Sequence, residues 1–140
     1  MSLRRPAPAD LVVDPSALVA VVLAEAAADE VEQALRASAA PIMSAANVVE
    51  LFLVLEGRLG PAGTDAGQNL LAQADVVVVP VDDTMVDGAL RAWRRFGKGH
   101  HPAQLNYGDC FAYALAAQWE LPLLCVGDDF RHTDLTLAIG

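Results

Sequence analysis

Runs of consecutive apolar residues punctuate this chain, and helix-favouring stretches fill the spaces between them. Leu11-Val12-Val13 is apolar without alternation and ends at Asp14, after which Pro15-Ser16 opens a stretch of helical composition over 16–23. A run of that kind is buried on both faces, and a Pro-Ser pair behind it marks a helix start. Val31, Ala34 and Leu35, set among Ala, Glu and Gln, predict a second helix over 29–38. Pro41-Ile42-Met43-Ser44 is a brief extended piece, and Ser44 is placed to cap a helix over 45–58. Gly57, Gly60 and Pro61 are expected to end that helix and begin a loop, with helical composition returning over 64–73. Val76-Val77-Val78-Val79 is the clearest strand, β-branched throughout and stopped by Pro80. A helix from Asp82 or Asp83 to Arg95 follows, then a glycine- and histidine-rich loop over 97–102. The last pair is a helix from about Tyr107 to Trp119, closed by Pro122, and a buried strand Leu123-Leu124-Cys125-Val126.

Strands apolar on both faces, alternating with helices, predict a parallel sheet covered on each side, an α/β fold of three layers, α/β/α. One domain over 1–140 is expected, with residues 1–10, which hold Pro6, Pro8 and two arginines, as a loose lead-in. Sheets of this kind take their ligands at the carboxyl ends of the strands. An acid there, or in the first turns of a helix rising from that edge, faces the crevice. Asp14, Glu50 and Asp109 meet that condition, as does the pair Asp128-Asp129.

Composition narrows the chemistry. The chain is 54% apolar, yet Asp75, Gln118 and Glu120 interrupt its longest apolar stretches before a membrane span is reached, so a cytoplasmic protein with no membrane partner is expected. Cys110 and Cys125 lie in apolar stretches outside any CxxC or Cys/His array and are expected in the core. The net charge of −9 runs against the basic footprint of a nucleic-acid-binding protein. Divalent cations held by converging carboxylates would reverse that sign locally. Oxygen-only ligands select Mg²⁺ or Mn²⁺. Phosphodiester hydrolysis is the natural use of such a site, since the cation makes water more acidic and offsets charge gathering on the phosphate oxygens. Each acid also has a plain structural role open to it: Asp14 and Asp109 as helix-terminal acids, Asp128 and Asp129 as a surface turn.

The residues around those acids resemble the PIN-domain ribonucleases, and within them the VapC-type toxins. Val12-Val13-Asp14-Pro15-Ser16-Ala17-Leu18-Val19 looks like the first block of that family, and Ser44-Ala45 followed by Glu50 resembles the second. Leu105-Asn106-Tyr107-Gly108-Asp109-Cys110-Phe111-Ala112-Tyr113-Ala114-Leu115-Ala116 is very similar to the third, and Leu123-Leu124-Cys125-Val126-Gly127-Asp128-Asp129-Phe130 to the fourth. The resemblance implies a PIN-like α/β/α sandwich, Mg²⁺ or Mn²⁺ as cofactor, endonucleolytic cleavage of RNA, a homodimer, and a cognate antitoxin lying over the active-site groove. It carries the catalytic and metal-holding roles to Asp14, Glu50, Asp109 and Asp128. Many members place the fourth acid where this chain has Gly127, so Asp128 takes that role by a one-residue shift, with Asp129 as a further metal ligand or substitute. Ser16 matches a position that hydrogen-bonds near the metal, or is a helix cap.

Arg91, Arg94, Arg95 and Lys98 cluster, and Arg94, Arg95 and Lys98 are the expected contacts to RNA phosphates. His100 and His101 belong to that patch or to a solvated loop, and Asn106 is expected as a helix cap. A receiver domain or Asp-nucleophile phosphatase would need a lysine beside the acids, and Lys98 is the only lysine. A catalytically inactive binding module and a DNA-directed nuclease of related fold remain the alternatives.

Overall fold

The computed structural model describes residues 9–140, so most of the expected lead-in lies outside the described residues. Four short strands, β1 (Leu11–Val13), β2 (Pro41–Ser44), β3 (Val77–Val79) and β4 (Leu123–Leu124), form one parallel sheet in the order β3-β2-β1-β4. Six α-helices cover it among the described residues: α1 (Pro15–Val22), α2 (Ala28–Ala37), α3 (Ala45–Leu59), α4 (Pro61–Gln73), α5 (Asp83–Phe96) and α6 (Tyr107–Trp119). Successive strand side chains point to opposite faces. Val12, Ile42 and Leu123 therefore enter a core under α5 and α6 with Met85, Phe96, Phe111 and Leu115. Leu11, Val13, Met43 and Leu124 enter a second core with Leu18, Val31, Leu51, Leu55 and Leu71 from α1 to α4. The three layers expected from the pattern are thus present.

Three local expectations are corrected. No loop follows Gly60: α3 runs through Gly57 to Leu59, Gly60 turns the chain at φ 72°, and Pro61 is already the first residue of α4. Proline at that position sacrifices no helical hydrogen bond, which is why it starts a helix here and does not break one. The two helices cross closely at Gly63, where a Cβ would fall 2.6 Å from the Leu55 carbonyl carbon. Second, β3 is an edge strand. Its valines read as buried on both faces, but Val77 and Val78 are 48% and 45% exposed and only Val79 is inside. Third, β4 stops after Leu124, because the Val126 N–H is taken by the Ser16 hydroxyl (3.0 Å) in place of a neighbouring strand. The outer edge of β4 is occupied by the C-terminal segment, with Leu123 N–H donating to the Thr136 carbonyl (2.9 Å).

Both cysteines are buried and free. Asn106 caps α6 as expected and does so reciprocally: its side-chain oxygen accepts from Asp109 N–H (2.9 Å), and the Asp109 carboxylate accepts from Asn106 N–H (3.1 Å).

Candidate active site

The chain leaves β1 towards β2 on one side, and only later returns to place β4 on the other. Where two neighbouring strands send their following segments in opposite directions, a crevice opens at their carboxyl ends. Asp14 follows β1 at that edge, and Asp128 and Asp129 lie in the segment after β4. Asp14 N–H donates to the Leu124 carbonyl (2.9 Å), which fixes the two segments against each other.

Asp14 is almost fully buried. One of its carboxylate oxygens accepts from the Ser16 N–H (3.0 Å) and the Ser16 hydroxyl (2.6 Å), and the same hydroxyl accepts from Val126 N–H. Asp14 is accordingly the cap of α1, and Ser16 is the pin joining the two strand ends. Asp109 is also buried, held by the reciprocal cap at Asn106. Glu50 comes from the second turn of α3. Its Oε1 accepts from Asn47 Nδ2 (3.1 Å), which donates also to the Gly108 carbonyl (2.9 Å) and so ties α3 to α6.

Burial pushes the Asp14 carboxyl up to about 6, against the two Ser16 hydrogen bonds, with the charges of Glu50 and Asp129 adding to the rise. Burial likewise lifts Asp109 to about 7, opposed by the Asn106 N–H and helped by the charges of Asp14, Asp129 and Glu50. Cys125, raised to about 12 chiefly by burial, feels Asp14, Asp109 and Asp129 as well. Glu50 and Asp129 thus act on both buried acids, and the four come from four separate parts of the chain. Asp128 is paired elsewhere. Its carboxylate stands 3.3 Å from Arg131 Nε and is 80% exposed.

A divalent cation fits this donor set. Asp14 and Asp109 resist ionisation, chiefly through burial with the neighbouring acids adding to it, and every charged donor is an oxygen. Among the described residues no three His, Cys, Asp or Glu side chains are gathered tightly enough to hold an ion by themselves.

Of the basic residues expected to meet RNA, Lys98 lines a hollow of about 330 Å³ with Gln104, Asn106, Asp128, Asp129 and His132. Arg95 is engaged elsewhere, with the Tyr113 hydroxyl (3.3 Å), with Asp134 (3.4 Å) and over the Phe96 ring. Arg94 is exposed on the last turn of α5. His100 and His101 pack edge-on against Trp93 and Phe96, so their loop is structured and not merely solvated. A second, apolar hollow of about 550 Å³ shares Lys98 and Asn106 with the first and is lined by Val86, Leu90, Trp93, Tyr107 and Phe111. Sequence reasoning missed Asn47 and Gly108. The available signal for Asn47 was an amide three residues before Glu50, on the same helical face in an otherwise apolar segment.

The chain matches the PIN domain over residues 11–135. It is 44% identical over 130 residues to "Ribonuclease VapC30" of Mycobacterium tuberculosis, covering 92% of this chain and 99% of that one. It is 44% identical over 125 residues to "Ribonuclease VapC" of Mycolicibacterium smegmatis, covering 89% and 97%. The fold is similar to that of the M. tuberculosis VapC20 crystal structure, described as a sarcin-ricin-loop-cleaving toxin, with a TM-score of 0.77 at 15% identity over 94% of this chain and 100% of that one. It is similar too to VapBC-5 of M. tuberculosis, a toxin–antitoxin family member, with a TM-score of 0.62 at 22% identity over 96% and 97%. The chain therefore belongs to the PIN-domain family, in its VapC ribonuclease branch.

Proposed function

We propose that this chain is a metal-dependent endoribonuclease, the toxin of a toxin–antitoxin pair, that hydrolyses RNA phosphodiester bonds. The carrying observation is the gathering of acids at the carboxyl edge of the sheet, where Asp14 and Asp109 are buried, the Glu50 carboxylate lies against Gly108 next to Asp109, and Asp129 follows β4. These four would hold Mg²⁺ or Mn²⁺, with Asp128 outside them. When bound, the ion would supply acidified water and offset the negative charge that builds on the phosphate oxygens during cleavage.

The chain's own residues do the rest. Ser16 holds the Asp14 carboxylate in one orientation, and the Asn106 cap does the same for Asp109. Lys98, at the rim of the hollow beside Asp129, meets the RNA backbone, with exposed Arg94 further along. Arg95 serves the structure first, since Tyr113 and Asp134 already occupy it. Acidic side chains reach an anionic substrate through a cation, which reconciles the net charge of −9 with RNA cleavage. The exposed apolar strip of Val86, Leu90 and Trp93 on α5 is the proposed seat of protein partners, the antitoxin and a second copy of the chain. We place the protein in the cytoplasm as a single domain; no described helix is long and apolar enough to cross a membrane.

Purified, partner-free protein should cut RNA with Mg²⁺ or Mn²⁺ and stop when EDTA is added. Cleavage that persists in EDTA, or an Asp109→Asn variant as active as the parent, would sink the reading.

A further inference from the structure

Gly108 occupies the first turn of α6, yet its backbone does not need glycine. Its φ is not among the positive values of the chain, and alanine would favour the helix. What the position requires is space. A Cβ there would lie 2.6 Å from both Cδ and Oε2 of Glu50, deep inside van der Waals contact. The Glu50 carboxylate thus sits against the bare α-carbon of another helix. Asn47 holds it there. The Asn47 side chain is buried, and its amide nitrogen faces two acceptors at once, Glu50 Oε1 and the Gly108 carbonyl. Turning the amide over would put oxygen against both, so its orientation is compelled. The opposite atom, Asn47 Oδ1, is buried without a hydrogen-bond partner, a state that proteins seldom tolerate unless the group serves something else.

We infer that Asn47 and Gly108 are positioning residues for Glu50: the amide holds the carboxylate from one side, and the missing side chain opens the place where it rests. The inference deepens the active-site reading and rests on Glu50 being one of its working acids. It also explains how a glutamate in a mostly apolar helix is placed towards the site with no salt bridge of its own among the described residues. The clash with alanine is at the far end of a flexible side chain, so Glu50 would swing aside and the fold would survive. Position 108 would then change the site and not the stability, which is the reverse of what a glycine kept for helix packing does.

Gly108→Ala and Asn47→Ala test this, each in the parent and in a Glu50→Ala background. Three readouts are needed: thermal melting without metal, the ¹³C carboxyl resonance of Glu50 in metal-free protein, and Mn²⁺ affinity by calorimetry. Gly108→Ala should melt no lower than the parent, shift the Glu50 resonance, and weaken Mn²⁺ binding by about 10-fold or more, the usual consequence of losing a residue that orients a metal ligand. In the Glu50→Ala background it should cost no further affinity. Asn47→Ala should move the same resonance, even if it melts lower because the Gly108 carbonyl loses its donor. An unmoved Glu50 resonance in Gly108→Ala, or an equal affinity loss with and without Glu50, overturns the inference. If the parent itself binds no Mn²⁺, the active-site reading fails, and the metal-free resonance still decides whether these two residues place the carboxylate.

Discussion

Asp10 and Asp14 stand at the two ends of one strand and live in opposite surroundings. Asp10 accepts from the Ser38 hydroxyl (2.5 Å) and from the N–H groups of Ala39 (3.0 Å) and Ala40 (3.2 Å). Those bonds, the Ser38 hydroxyl foremost, hold its carboxyl below the ordinary range. Asp14 also accepts two hydrogen bonds, from Ser16, but burial outweighs them and neighbouring acids add to the rise. The same carboxyl group is therefore a clamp at the amino end of β1 and a reluctant anion at the carboxyl end. A charge satisfied by its surroundings stabilises the fold, whereas a charge held against them marks a place that something else can balance, which is the role proposed above for a cation.

The largest effects are expected at Asp14 and Asp109. Asp14→Asn or Asp109→Asn should lower RNA cleavage by roughly two orders of magnitude or more, as expected for groups that organise charge at a reacting phosphate. Metal-free Asp14→Asn should also be the more stable protein at pH 8, by on the order of 2 kcal/mol, since asparagine can still accept from Ser16 without a buried charge. Alanine at 14 is a poorer probe, because it removes the cap of α1 as well. The pH dependence follows from the direction of the shifts. Both acids bind protons more tightly folded than unfolded, so their contribution to stability is full below their ordinary value of 3.8 and is lost as pH rises through about 6 for Asp14 and about 7 for Asp109. Metal-free parent should thus melt higher at pH 5 than at pH 8. Mn²⁺ should stabilise it more at pH 8, where it does not compete with protons. A flat melting profile that the two asparagine variants leave unchanged would contradict this.

The pair after β4 sharpens the contrast next. Asp129→Asn should reduce cleavage by about tenfold or more, because its charge acts on both buried acids. Asp128→Asn should change cleavage less than Asp129→Asn, and stability by no more than about 0.5 kcal/mol, as befits an exposed pair with Arg131. Initial rates on one RNA substrate, compared side by side, decide between them. At the amino end, Asp10→Ala should leave cleavage per folded molecule intact and lower stability by roughly 1–2 kcal/mol at pH 7. Because the Asp10 carboxyl is held low, its contribution is present above its ordinary value of 3.8 and is lost as pH falls through the depressed folded value. Denaturant melts at pH 7 and near pH 2.5 should show the penalty shrinking.

Much of this was legible in one dimension. The unbroken apolar runs at Leu11-Val12-Val13 and Leu123-Leu124-Cys125-Val126 marked buried strands, the second kept only over Leu123–Leu124, and Ser44 and Asn106 announced helix starts that the structure bears out. The valines 76–79 misled, because an edge strand and a central one have the same composition, and only the neighbours decide how much of each is covered. Pro61 misled for a related reason: a proline that breaks a helix interior is at home in its first turn, and the closeness of α3 and α4 at Gly63 sets which of these applies.

By itself the sequence determined the periodicity, hence the layered parallel sheet, and it determined that several acids fall at strand ends and helix starts. Those features depend on residues near in the chain, whose propensities and burial patterns act locally. Tertiary structure alone decided which acids share an electric field, that Asp129 acts on Asp14 while Asp128 pairs with Arg131, that Arg95 is already engaged, and that Glu50 rests on a glycine from a distant helix. Charge and contact depend on distance through space, and nothing in the linear order of residues carries that distance until the chain has folded.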